Sequence, residues 1–143
     1  MKIKVCGIND LEFYREAVSL GVDYTGFIFY DRSPRYIAPA KAKEIISNGP
    51  TGHHLKVGVF VNEDLETVKK NVSETGLDIV QLHGDESPGY VEKLTIPCWK
   101  ALRIKDRGTL EQMPRYDCKV FLLDTYVNGQ YGGTGVPFSP ILI

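Results

Sequence analysis

The sequence predicts an α/β protein built on a parallel sheet of about six strands. Three observations carry that expectation. Short β-branched apolar runs alternate with helical patterns along the chain. Several of these runs, V-G-V-F-V among them, are apolar on both faces, as strands of a covered parallel sheet are. Each strand with its helix takes about 20–30 residues, the size of a βα repeat.

Taken in order, the first strand is expected at 3–7, where K-I-K-V-C-G-I delivers Cys6 at its end. Asn9 or Asp10 can cap a helix over 11–20, with Glu12 in its first turn and Gly21 just beyond it. A second strand at 24–30 leads into the loop D-R-S-P-R-Y and a helix over 39–47, opened by Pro39 and closed by Asn48-Gly49. The third strand covers 56–61. The helix over 64–75 ends at Gly76 and sets Leu65, Val68 and Val72 on one face, with Lys69 and Lys70 outside. A fourth strand at 78–83 ends on His83, and Ser87-Pro88 opens a short helix to residue 94. A fifth strand at 98–104, a short helix at 109–113 and a sixth strand at 119–124 follow, the last delivering Asp124.

Composition narrows the classes. A chain of 143 residues, 43% hydrophobic and 24% charged, reads as one globular domain, 1–143, large enough to bury a core. A net charge of -1 offers no electrostatic footprint for nucleic acid or a membrane surface. No apolar run approaches a membrane span, and Met1 leads straight into a strand without a leader pattern. Cys6, Cys98 and Cys118 have neither metal-ligand nor C-x-x-C spacing, so reduced thiols in a cytoplasmic protein are expected.

Sequential βα units with right-handed crossovers build either an open doubly wound sheet or a closed barrel. A closed barrel needs eight strands and typically ~250 residues. Six strands in 143 residues therefore mean an open sheet, or a barrel sequence short of two units.

In both architectures chemistry gathers at the carboxyl ends of strands. Cys6 there can serve as a thiolate base or nucleophile if a cation or helix N-terminus is near, and the helix after Asn9 starts close by. Its competing reading is a small buried apolar residue. Asp124 follows V-F-L-L, where partial burial keeps a proton available for donation; a turn cap through Thr125 is the alternative. Arg35 presents a planar fork for a carboxylate or phosphate, or is a solvated loop cation. His83 can donate a hydrogen bond or shuttle a proton, or simply fill a strand-to-helix turn. Gly132-Gly133-Thr134-Gly135 reads as a phosphate cradle or a hinge. His53 and His54 precede a strand, at the opposite end, and are expected on the surface. Cys98, Cys118 and Trp99 are expected to pack.

Read together and in order, K-V-C-G-I, G-F-I-F-Y-D-R-S-P-R-Y-I, V-G-V-F-V-N-E, V-Q-L-H-G-D-E and L-L-D…Y-G-G-T-G resemble the phosphoribosylanthranilate isomerase family of tryptophan biosynthesis. The resemblance runs from Lys2 to about Gly135. It implies a (β/α)8-barrel family fold, here an incomplete barrel of about six parallel strands. It also implies an Amadori rearrangement of N-(5-phosphoribosyl)anthranilate to 1-(2-carboxyphenylamino)-1-deoxyribulose 5-phosphate. By motif, Asp124 would be the general acid and Cys6 the general base. Arg35 would hold the anthranilate carboxylate, with His83, Gly132 and Gly133 lining the substrate site. No metal or organic cofactor is implied, and the partner is a phosphorylated small molecule.

Two departures from the family pattern set further expectations. Val136, Ser139 and Pro140 stand where the family has Lys and an Asp-Trp pair, and two βα units are not found after the sixth strand. The chain is therefore expected to be C-terminally truncated, with its phosphate anchor reduced. Open strand edges at its two margins would favour self-association. An inactive barrel fragment or assembly partner is the alternative function. Indole-glycerol-phosphate synthase, a barrel enzyme of the same pathway, would need a lysine-centred site, and neither Lys4 nor Lys100 comes with partners legible in the sequence.

Overall fold

The computed structural model describes residues 1–129 and 131–132. Gly133 and the divergent run from Val136 to Pro140 lie outside the described residues. The elements are β1 (Lys4–Cys6), α1 (Leu11–Ser19), β2 (Tyr24–Ile28), α2 (Pro39–Asn48), β3 (Leu55–Phe60), α3 (Leu65–Thr75), β4 (Ile79–Leu82), α4 (Pro88–Val91), β5 (Cys98–Ile104), α5 (Arg107–Leu110) and β6 (Val120–Thr125), with a 3-10 turn at Met113–Arg115.

The six described strands form one sheet in the order β1-β2-β3-β4-β5-β6, each pair parallel. Neighbours in space are neighbours in sequence. A doubly wound sheet reverses its strand order at a switch point. This one does not, so it is the arc of a (β/α) barrel and the open-sheet alternative falls away.

Alternation along each strand separates two apolar faces. The outer face packs under the helices, with Tyr14 and Ala17 of α1, Ile45 of α2 and Val68 of α3 against Phe27, Phe60 and Val80 of the sheet. The inner face carries Val57, Ile79 and Trp99, with Tyr24 and Leu122 packed beside them. Tyr24 meets Trp99 edge-on at 4.8 Å between ring centroids. Fully burying a side chain of this class contributes about 1.5–3 kcal/mol, so the covered sheet supplies most of the stability.

The helix ends follow local chemistry. Asp10, not Asn9, caps α1 by accepting from Phe13 N at 2.7 Å. Asp64 accepts from Thr67 N at 3.0 Å, and Gly76 closes α3 at φ 72, a left-handed conformation that favours glycine. Pro39 sits at the start of α2.

Several expectations need correcting. β2 stops at Ile28 rather than residue 30, because the chain folds back and Ile37 N donates to Ile28 O at 2.9 Å. α4 ends at Val91, not 94. Its continuation tightens into bonds from Lys93 N to Tyr90 O and from Leu94 N to Val91 O. α5 lies at Arg107–Leu110 rather than 109–113, since Asp106 caps it through Thr109 N at 3.1 Å. The fifth strand has the expected limits.

His54 is the largest surprise: it is buried, 7% exposed, whereas His53 is exposed as expected. The Tyr14 hydroxyl bonds His54 Nε2 at 2.7 Å, and the two rings meet edge-on. The sequence shows only that His54 precedes a strand; α1 covers it.

Two predictions follow from this packing. A Cβ at Gly58 would lie 2.5 Å from Leu77 Cδ1 and 2.8 Å from Phe60 Cε2. Gly58→Ala is expected to destabilise by about 1–3 kcal/mol through overpacking, read as a lower urea midpoint at unchanged slope. Burial, with Lys56 adding, holds the His54 pKa below the ordinary 6.5. The unfolded chain then binds more protons just below that value, so stability falls as pH drops through the window. Urea midpoints measured across it should decline, and the decline should shrink in His54→Gln. The depressed carboxyls of Asp23 and Asp64 act at lower pH, below their ordinary 3.8.

Candidate active site

The ladder register decides which side chains meet. Cys6 pairs with Gly26, Val59 with Gln81, and Arg103 with Asp124. In parallel strands paired residues share a face, so these positions stand on the inner side of the arc near the carboxyl ends. A cavity of about 520 Å³ opens there, lined by Cys6, Arg35, Gln81, His83, Tyr131 and Gly132 among others.

Glycines make room for the first group. Gly7 adopts φ +96, and a Cβ on it would lie 2.7 Å from Arg35 Cδ. A Cβ at Gly26 would lie 2.7 Å from Cys6 Sγ and 3.0 Å from Lys4 Cε. Bare backbone at both positions lets Arg35 lie across β1 and gives the Cys6 thiol its space. Arg35 Nη1 donates to Cys6 O at 3.0 Å, and its own N–H donates to Ser33 Oγ at 3.2 Å, which shapes the loop. Lys4 extends on the same face. Burial lowers its pKa from the ordinary value, an effect offset by Cys6 beside it. Its ammonium donates to Gln81 Oε1.

His83 stands one step past the end of β4. Its Nδ1 faces Gln81 Nε2 and its Nε2 faces Asp124 Oδ2, each at 3.0 Å. Asp124 Oδ1 also accepts from Thr125 N at 2.9 Å. Gly132, at φ +72, packs on the imidazole so closely that a Cβ would lie 3.2 Å from Nε2.

The opposite rim is held by Tyr131. Its hydroxyl donates to Asp85 Oδ2 at 2.7 Å and accepts from Asn62 Nδ2 at 3.3 Å. The Arg103 guanidinium lies 4.0 Å from the Tyr131 ring centroid and donates to Asp85 Oδ1 at 2.6 Å. Burial pushes the Asp85 carboxyl up, but hydrogen bonds from Tyr131 and Arg103 outweigh it and hold the group below its ordinary value.

Beneath this rim is a buried ion pair. Lys100, 2% exposed, donates to Glu86 Oε2 at 3.1 Å, Gly84 O at 2.8 Å and Ala101 O at 3.0 Å. Glu86 Oε1 accepts from Asn62 N at 2.8 Å, and Oε2 accepts from Gly84 N at 3.0 Å. The pair thus ties the turn after His83 to the end of β3 and to β5.

Of the residues singled out in the sequence, Cys6, Arg35, His83 and Gly132 line one cavity. Asp124 is not among the lining residues and meets the site through His83. Gly133 lies outside the described residues. Cys98 is buried as expected, and Cys118, half-buried, packs against the same cluster. Lys4, Gln81, Tyr131 and the Lys100–Glu86 pair were not identified as part of the site from the sequence. The partners that Lys4 and Lys100 lack in the sequence are supplied by Gln81 of β4 and by Gly84 and Glu86 in the loop after it. The one local signal was the cation inside the apolar run C-W-K-A-L.

The family model for N-(5'-phosphoribosyl)anthranilate isomerase matches residues 3–143. The chain belongs to this family. It is 45% identical over 142 residues to the N-(5'-phosphoribosyl)anthranilate isomerase of Rubrobacter xylanophilus, covering 96% of this chain and 68% of that one. The isomerase of Geotalea uraniireducens is 43% identical over 138 residues, with the same shares. The crystal structure of the Thermotoga maritima phosphoribosyl anthranilate isomerase superposes with a TM-score of 0.82 at 35% identity, covering 91% of this chain and 64% of that chain. A phosphoribosyl anthranilate isomerase in complex with reduced 1-(o-carboxyphenylamino)-1-deoxyribulose 5-phosphate superposes at 0.80 and 36% identity, covering 88% and 66%. The chain therefore spans about two thirds of the length of these family members.

The ion pair under the family's site gives a direct prediction. Glu86→Leu or Lys100→Met alone leaves a buried charge unpaired and is expected to cost about 3–5 kcal/mol. The double variant should cost far less than the sum, read as a coupling energy from a urea-denaturation double-mutant cycle.

Proposed function

We propose that this chain carries the isomerase activity of its family, the Amadori rearrangement of N-(5-phosphoribosyl)anthranilate. The observation that carries this reading is the convergence of Cys6, Arg35 and His83 on one cavity, with Asp124 bonded to His83 at its edge. The bound product analogue of a structural relative belongs to that protein, and here it supports a phosphorylated sugar–anthranilate as the substrate class.

The chemistry needs an acid and a base in one site. Asp124 donates its proton to the ribose ring oxygen as the C1–O bond breaks. The anthranilate nitrogen lone pair forms the C=N bond, giving an open-chain iminium. The iminium acidifies the C2 proton, which the Cys6 thiolate removes. The C–H electrons become the C1=C2 double bond and those of C=N return to nitrogen. The enolamine then tautomerises to the ketose, with the C2 hydroxyl proton lost and a proton gained at C1.

In this proposal Arg35 takes the anthranilate carboxylate: its Nη1 donates to Cys6 O, its remaining donors are left for a ligand, and the residue lines the cavity. His83 receives the newly ionised Asp124 carboxylate. Gly132 lines the same cavity and belongs to the substrate site in this proposal. Three free cysteines fit a reducing, cytoplasmic setting. Self-association through the outer strands β1 and β6 belongs to the same proposal, and a concentration-independent monomer in ultracentrifugation would overturn that part.

The test is turnover of freshly made N-(5-phosphoribosyl)anthranilate by this chain. Product formation abolished by Cys6→Ala and by Asp124→Asn is the expected result. A cooperatively folded chain with no turnover would overturn the reading in favour of an inactive scaffold. Arg35→Met should raise KM by about 10–100-fold with a smaller change in kcat, as loss of a charged hydrogen bond predicts.

A further inference from the structure

The inner face carries an unbroken polar chain that joins the first strand to the sixth. Lys4 Nζ meets Gln81 Oε1, Gln81 Nε2 meets His83 Nδ1 at 3.0 Å, and His83 Nε2 meets Asp124 Oδ2 at 3.0 Å. Thr125 N closes it on Asp124 Oδ1 at 2.9 Å. Gln81 sits in the middle, 3% exposed.

The direction of every bond in this chain follows from one donor. An ammonium only donates, so Gln81 must present its carbonyl oxygen to Lys4. That leaves the amide NH2 facing His83, and an NH2 group only donates. His83 Nδ1 must then accept, and an accepting nitrogen carries no hydrogen. The ring hydrogen of the neutral imidazole is therefore on Nε2, where it points at Asp124. The reverse amide orientation would set NH2 against ammonium.

We infer that Gln81, oriented by Lys4, is a positioning residue that locks His83 as the neutral Nε2–H tautomer aimed at Asp124. Gln81 acts through His83 and takes no part in bond making. Its catalytic meaning rests on the isomerase reading: when Asp124 gives up its proton, the carboxylate it becomes finds a hydrogen-bond donor already in place. Such a preset donor stabilises developing charge without reorganisation. The tautomer itself does not depend on that reading.

The experiment is long-range 1H–15N correlation on the chain labelled at histidine, at neutral pH, with His83 assigned by comparison with His83→Gln. The wild type should show His83 Nε2 protonated and Nδ1 bare. In Gln81→Glu the new carboxylate accepts rather than donates, so the hydrogen should move to Nδ1 or the ring should become charged. Gln81→Leu, close in size and without a donor, should show a mixture of tautomers. Urea titration checks that each variant is folded, and either variant alone suffices for the test. A wild-type ring that is Nδ1–H or doubly protonated overturns the inference, as does an unchanged ring in a folded variant.

Kinetics then separates the two readings. With wild-type turnover present, Gln81→Glu should lower kcat by about 10–100-fold, part of what general acid–base catalysis supplies, with KM little changed. An unchanged kcat would overturn the positioning role. Absent wild-type turnover would overturn the isomerase reading while the ring spectrum still decides the tautomer.

Discussion

Every inner-face contact in this chain depends on the in-register parallel pairing of strands that follow one another in sequence. Side chains alternate with a period of two, so a slip of one residue would turn the inner set outward. The same ladder that pairs Val57 with Ile79 pairs Gln81 with Trp99, and it carries His83 and Asp124 toward the strand ends above this apolar group. Apolar burial at the lower level makes the register costly to change. The polar level inherits that precision, and its buried groups meet the usual requirement of having partners.

On the outer face of the same strands the Lys100–Glu86 pair fixes the loops that the ladder does not reach. A buried ion pair adds little net stability, because desolvation of both charges roughly cancels their attraction. What it does add is geometry. Glu86 binds the backbone of Asn62 after β3 and of Gly84 after β4, and Lys100 of β5 binds the Gly84 carbonyl. Asn62, held at φ 51, passes the constraint on by accepting from Asp85 N and donating to Tyr131. One buried pair thus supports the turn carrying His83 and the rim carrying Tyr131.

Much of the fold was legible in the sequence because its signals are local. Alternation and apolar runs mark strands such as β5, and Gly76 or Pro39 marks helix ends within one residue. α5 begins earlier than its pattern suggests because Asp106 captures the Thr109 N–H and caps the helix there. His54 was misread because its burial comes from Tyr14, forty positions away in sequence. The site divides the same way. Cys6, Arg35, His83 and Asp124 sit at strand ends or in the loop beyond one, where the pattern draws attention, and the family resemblance names them. Gln81 and Lys4 are single polar letters inside short strands, and only the ladder shows that they touch.

The two proton-transfer groups proposed for the reaction sit in electrostatically different places, and the fold imposes the difference. Cys6 ends β1, flanked by the Lys4 ammonium on its own strand and the Arg35 guanidinium across Gly7. Both neighbours are cations. Asp124 ends β6, and its oxygens meet the Thr125 backbone N–H and the His83 ring. Those neighbours are hydrogen-bonding groups without a fixed charge. Lys4 serves both ends: its charge lies beside Cys6, while its hydrogen bond through Gln81 reaches His83 and Asp124 only as orientation.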